Sequence, residues 1–198
     1  MIHKNPQPMT APGNGHDIVD GASRDQLLDK QLVFYQWRHG YRTAVDGLLV
    51  GAMVDSHARA VLDAGAGAGA VSLAAAYWQY QARQAQKNSG QRDGDDQVVA
   101  GVIHAVERNG DYFRLLEKNL WQENGWLGGK ERFKLYHQPL HDFANGQQKK
   151  YHHQQPAPVD KGRDGVGTIA FDHILFNPPF DRATTSTAPP DDLKKQAM

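Results

Sequence analysis

The chain has 198 residues, its 22 Lys and Arg balance its 22 Asp and Glu, and it contains no cysteine. That length holds one domain with or without appendages, and the charge balance gives no overall positive field, so an RNA partner would need a local basic patch. The missing cysteine excludes a disulfide framework, a thiolate zinc site and a cysteine nucleophile; with no apolar leader and no run of membrane-spanning length, a soluble, cytoplasmic protein without a membrane partner is expected.

In chain order, residues 1–24 read as a polar, disordered leader. Residues 26–34 are apolar but too short a run to separate helix from strand, and residues 36–43 read as an aromatic and basic loop around Gly40. The spacing predicts a helix over 44–54 with Val45, Leu48, Leu49, Ala52 and Met53 on one face. Thr43 is its expected N-cap, with Asp46 in the capping-box place. Ala60, Val61 and Leu62 form a first short strand running into Asp63-Ala64-Gly65-Ala66-Gly67-Ala68-Gly69, and residues 70–85 read as a helix. A polar insertion follows at 87–97. A second strand over 98–106 ends at Glu107, and a helix over 111–119 turns Tyr112, Leu115 and Leu116 inward. A third strand covers 133–136, a second polar insertion covers 144–168, and Ile174, Leu175 and Phe176 form a fourth strand.

Strands separated by helical patterns predict an α/β fold of parallel β-α-β units with right-handed crossovers. Ligands of such sheets sit at the strands' C-terminal ends. Asp63, Glu107, residues 137–142 and Asn177 each follow one of the four strands.

Glycines at 65, 67 and 69 let the backbone turn tightly and approach a ligand with no side chain between, beside the positive end of the next helix. Gly65, Gly67 and Ala70 also fit the dinucleotide pattern, so a nicotinamide or flavin enzyme is one reading. Against it, Asp63 would repel a pyrophosphate, and Glu107 lies much farther on than the usual ribose-binding acid. A carboxylate at 63 better suits a cofactor carrying an ammonium and a sulfonium, which is S-adenosylmethionine. The bland alternative is an Ala/Gly-rich turn with no ligand. Glu107 can accept both hydroxyls of a ribose, or stand as a solvated acid at a helix start.

Asn177-Pro178-Pro179-Phe180 closes the fourth strand. Neither proline donates a backbone hydrogen bond, and the residue before a proline is held extended. Asn177 can accept from an exocyclic amine while Phe180 stacks on the ring that bears it; the bland alternative is a proline-stopped strand with an ordinary loop. His137 and His141, and the pair His152-His153, lack companions at ligand spacing, and no metal site is expected.

Together, the Asp63-x-Gly65-x-Gly67-x-Gly69 turn, Glu107 and Asn177-Pro178-Pro179-Phe180 resemble class I S-adenosylmethionine-dependent methyltransferases that act on amino groups. Residues 40–49 (Gly-Tyr-Arg-Thr-Ala-Val-Asp-Gly-Leu-Leu) resemble the corresponding segment of bacterial tRNA adenine-N6 methyltransferases that modify valine tRNA. The resemblance covers about residues 36–180. It implies a Rossmann-like parallel sheet ordered 3-2-1-4, with Asp63, Gly65, Gly67 and Gly69 at the cofactor's methionine end and Glu107 on its ribose. Thr43 and Asp142 join the cofactor-binding set, Asp142 as an adenine contact or alternatively a helix cap. Asn177 and the Pro178 carbonyl would accept from the target amine, with Pro179 and Phe180 completing the motif. An RNA substrate, tRNA first, is implied; Arg38 and Arg42 are candidates for phosphate contact. Related enzymes methylate rRNA guanine N2 or a protein glutamine amide. Two departures stand out: His137-Gln138-Pro139-Leu140 replaces the usual acid after the third strand, and about three further strands would be expected after residue 180. The expected organisation is a leader over 1–24, a truncated methyltransferase domain over 25–180 and a polar tail over 181–198. A non-catalytic cofactor-binding fragment is the contrasting reading.

Overall fold

A computed structural model describes residues 20–40, 42–43, 45–89, 100–146 and 170–178. It opens with an antiparallel hairpin of β1 (Ala22–Leu27) and β2 (Leu32–Trp37). β1 thus begins inside the stretch expected as leader, and Ala22 is buried. The undecided apolar run spans the end of β1, the turn and the first half of β2. Leu32, Phe34 and Tyr35 are buried in the main core.

Helix α1 (Val45–Ala52) forms where expected but faces the other way. Gly47 and Gly51 are its buried residues, whereas Val45, Leu49 and Met53 are 66, 59 and 79% exposed. The reason is close approach to α2 (Ala70–Asn88). A Cβ on Gly51 would lie 2.5 Å from the Val71 carbonyl oxygen and 2.6 Å from the Ala74 Cβ. Only the glycine face permits that contact.

The remaining elements alternate: β3 (Ala60–Ala64), α2, β4 (Val102–Glu107), α3 (Gly110–Glu117), a π-helical turn over Lys118–Glu123, a 3-10 turn over Gly125–Leu127, α4 (Gly129–Arg132), β5 (Phe133–His137), α5 (Leu140–Ala144) and β6 (His173–Phe176). The strands make one parallel sheet ordered β5-β4-β3-β6. In order of appearance that is third, second, first, fourth, the expected Rossmann-like arrangement. Val61, Ile103, Ala105, Phe133 and Leu135 point into the main core with α2 and α3. Leu62, Ala64, Val106 and Tyr136 point to the opposite face, where Phe143 of α5 and Phe171 cover them. Tyr112, Leu115 and Leu116 of α3 turn inward as expected.

Two asparagines attach the hairpin to this body. Asn119 accepts from the Tyr35 N–H at 2.7 Å and donates to the carbonyls of Tyr35 and Ala68, each at 2.8 Å. Asn124 accepts from the Val33 N–H at 3.1 Å and donates to the Val33 carbonyl at 2.7 Å. Side-chain amides thereby satisfy one edge of β2, as a neighbouring strand would. No described helix is long and apolar enough to cross a membrane.

Candidate active site

β3 ends at Ala64, and the chain enters α2 through Gly65, Gly67 and Gly69 at φ values of +74, +56 and +92°. These are left-handed conformations that cost an L-residue roughly 1–2 kcal/mol each. The turn is tied to the neighbouring strand. The Gly65 and Ala66 N–H groups both donate to the Val106 carbonyl at 2.9 Å. Glu107 Oε2 accepts from the Gly67 N–H at 2.8 Å and its Oε1 from the Asn109 N–H at 2.6 Å. Each carboxylate oxygen keeps a further lone pair for a ligand.

Beside this turn lies a cavity of about 40 Å³, bordered by Gln36, Thr43, Gly65, Gly67, Tyr112 and Asn177 among others. Asn177 reaches it because β6 lies next to β3 in the sheet, so the two strands end side by side. Its Nδ2 would be 3.2 Å from a Cβ on Gly47, so the glycine face of α1 also makes room for this amide. Thr43 is held over the cavity by its N–H, which donates to Gln36 Oε1 at 2.9 Å. Gln36 is fixed in turn by donating to Asp25 Oδ2 at 2.6 Å. Neither Gln36 nor Tyr112 stands out as a site residue in the sequence: both depend on the hairpin and α3 folding over the turn.

Asp63, expected at the methionine end, does not border the cavity. It is 1% exposed, and its Oδ2 accepts from the Ser72 N–H at 3.1 Å and the Ser72 Oγ–H at 2.6 Å. It braces the first turn of α2 from behind. Burial pushes its carboxyl up to about 6, against the two Ser72 bonds, with the Glu107 charge adding to the rise. Asp142 is also displaced from the cavity lining. It lies buried within α5, with Oδ1 3.1 Å from His141 Nε2, and α5 covers the other sheet face through Phe143. His137 stacks on Phe113 with ring centroids 4.8 Å apart. Arg42, a candidate for phosphate contact, pairs with Asp25 at 2.9 Å and donates to the Trp37 carbonyl at 3.0 Å. Pro178 is described; Pro179 and Phe180 lie outside the described residues. No group of three or more His, Asp or Glu among the described residues is placed to hold a metal ion.

Among the described residues no cation lines the cavity, while Asp63 and Glu107 are buried outside its lining, on the two neighbouring strands that end beside it. That suits a neutral or positively charged ligand group better than a pyrophosphate.

No protein-family model matches the sequence, and no curated protein matches it. Among solved structures, a Pyrococcus horikoshii protein named as a transferase is similar at a TM-score of 0.43 and 18% identity, covering 63% of this chain and 38% of its own. TYW2 of P. horikoshii, solved in complex with MeSAdo, is similar at a TM-score of 0.43 and 16% identity over the same shares. A Klebsiella pneumoniae protein named as an O-methyltransferase is similar at a TM-score of 0.34 and 15% identity, over 56% of this chain and 40% of its own. This chain therefore spans well under half of each.

Proposed function

We propose that the chain carries the cofactor-binding part and the amine-docking residue of an S-adenosylmethionine-dependent N-methyltransferase, with adenine N6 in tRNA as the leading substrate. The supporting observation is the meeting of Asn177 with the glycine turn at one cavity, lined without cations among the described residues. The residues suit the cofactor in kind. Gly67 offers a bare backbone surface where a Cβ would meet nothing within 4 Å. Glu107 retains acceptor capacity for ribose hydroxyls. The first N–H groups of α2, at Ala70 and Val71, have no acceptor within the helix and border the cavity, where a carboxylate is favoured. The cavity's about 40 Å³ takes one end of such a molecule rather than the whole, since pockets that enclose drug-sized ligands run to roughly 300–1,000 Å³. The rest would lie along the open strand ends.

The cofactor supplies a methyl group on a positively charged sulfur, a good leaving group, so no strong base is needed. Asn177 Oδ1 and the Pro178 carbonyl would accept hydrogen bonds from the two amine N–H groups and turn the nitrogen lone pair toward the methyl carbon. In that geometry the methyl group would pass to the amine nitrogen with the neutral thioether as leaving group, and the surplus amine proton would go to water. Orientation of this kind can supply much of the barrier reduction. A base in a single-stranded loop is splayed out at small cost. Methylation of rRNA guanine N2 or of a protein glutamine amide would use the same Asn177 contacts and is the second reading.

The test is calorimetric titration of S-adenosylmethionine into the 198-residue chain, followed by methyl transfer to total tRNA lacking the modification. Binding is expected. Asn177→Ala should keep that binding within a few-fold while removing at least 100-fold of any transfer. A folded chain that binds no cofactor overturns the assignment, and a fully active Asn177→Ala overturns the docking role.

A further inference from the structure

At the opposite end of the sheet, the last two turns of α2 present Tyr80, Arg83, Gln84 and Lys87 at helical spacing to a cleft of about 420 Å³. Across it stand Trp126, Glu131 and Arg132, with Ala100 and Val102 forming the floor at the start of β4. Trp126 packs edge-on with Tyr80, centroids 5.1 Å apart, and is still 46% exposed. Arg132 is buried, and its guanidinium donates to the carbonyls of Gly101 and Leu127, both at 3.1 Å, and to Gln79 Oε1 at 2.6 Å. Its pKa is pushed down to about 10 by burial and then by the charge of Arg83. Arg83 Nε is buried without a hydrogen-bond acceptor. Among the described residues, no ion pair neutralises Arg83, Lys87 or Arg132. Among the described lining residues, three cations face a single carboxylate, Glu131, beside an accessible indole.

We propose that this cleft is a second site, which takes a single-stranded nucleic acid with one base against Trp126 and its phosphates along Arg83 and Lys87. Base–aromatic stacking beside a cationic track is how single strands are held without sequence preference. From Tyr80 to Lys87 the stripe runs roughly 10 Å at 1.5 Å per residue, against about 3.4 Å of rise per nucleotide along a duplex strand. It is therefore longer than a free mononucleotide needs. The site shares no residue with the cavity at the glycine turn and does not depend on methyl transfer.

The test titrates a fluorescently labelled oligouridine into the full chain at several salt concentrations, read by anisotropy with no S-adenosylmethionine present. Arg83→Gln combined with Lys87→Gln should weaken binding at least tenfold and flatten the salt dependence by about 1.4, at roughly 0.7 for each phosphate no longer neutralised. Trp126→Ala should weaken it at least about fivefold with the salt slope kept, and Trp126→Phe should restore most of the loss. Unchanged affinity in the double variant overturns the proposal. So does competition by inorganic phosphate as strong as by the oligonucleotide, which would make the cleft a simple anion site. Residues 90–99 join the α2 side to the floor in sequence and include Asp93, Asp95 and Asp96. Binding that appears only after all three are changed to Asn would mean an internal acidic segment fills the cleft, and would overturn it as well.

Discussion

Gly67 and Gly69 share one motif and a left-handed backbone, yet their surroundings differ. A Cβ on Gly67 meets nothing within 4 Å, whereas one on Gly69 would lie 2.6 Å from Leu116 Cδ1. Gly67→Ala should therefore cost only the roughly 1–2 kcal/mol of backbone strain, and weaken S-adenosylmethionine at least tenfold by projecting a methyl beside the cavity. Gly69→Ala adds core overpacking of about 1–3 kcal/mol to the same strain, so urea unfolding should rank it as the less stable of the two. Two buried titrating groups give a second residue-scale expectation. Asp63, raised to about 6, binds protons more readily folded than unfolded, so its contribution to stability falls as pH rises from about 4 to 6 and is flat above. His104 is lowered to about 4 by burial and then by the Lys134 charge. Its Nδ1 is 2.9 Å from the Tyr136 hydroxyl. It binds protons less readily folded, so its contribution rises with pH from about 4 to 6.5 and is flat above. The two slopes oppose each other in one window. Urea midpoints of the wild type should be nearly level between pH 4 and 6, those of Asp63→Asn should climb, and those of His104→Asn should fall. Parallel profiles for the two variants would refute the assignment.

At the scale of elements, the strands and their following turns are legible because each carries its own local signal. Apolar triplets at 60–62 and 174–176 end in glycines or prolines, which stop a strand for reasons visible in the residues themselves. The first hairpin is not legible. Its turn passes through Leu28, Asp29 and Lys30 at φ values of +50, +52 and +64°, without the glycine or asparagine that usually marks such a turn. Helix α1 can be found in the sequence but its orientation cannot, because an apolar stripe predicts burial only when a partner lies at side-chain distance. Here the partner, α2, lies at backbone distance. Gly51→Ala tests this directly. With the Val71 carbonyl oxygen at 2.5 Å from the new Cβ, α1 must shift off α2, at a cost of about 1–3 kcal/mol. Leu49→Ala, on the exposed face, should change stability by less than about 0.5 kcal/mol. Equal losses for the two would contradict the glycine-face packing.

Over the whole molecule, sheet order and the position of Asn177 beside the glycine turn can be anticipated, because parallel β-α-β units with one handedness leave few arrangements. The coupling of the hairpin to the cavity cannot. It runs through Asn119, whose partners lie 51 and 84 residues away, and through Gln36, whose bonds to Asp25 and Thr43 form only once the hairpin has closed. Asn119 holds both the Tyr35 backbone and the Ala68 carbonyl of the glycine turn, and Gln36, the next residue of β2, holds Thr43 over the cavity. Hairpin, turn and cavity wall are consequently one mechanical unit. Asn119→Ala leaves a buried N–H and two carbonyls without their partner, a loss of about 3 kcal/mol or more at roughly 1–3 kcal/mol per unsatisfied group. Because Leu32 and Phe34 share the main core with α2 and β4, that loss should move the whole transition. Circular dichroism and tryptophan fluorescence should report one coincident urea midpoint, lower than wild type, with an unchanged denaturant slope. S-adenosylmethionine affinity should fall with it even at temperatures where the variant is fully folded. Two separated transitions, the first seen by fluorescence alone, would mean that the hairpin unfolds by itself and that Gln36 positions Thr43 without support from Asn119.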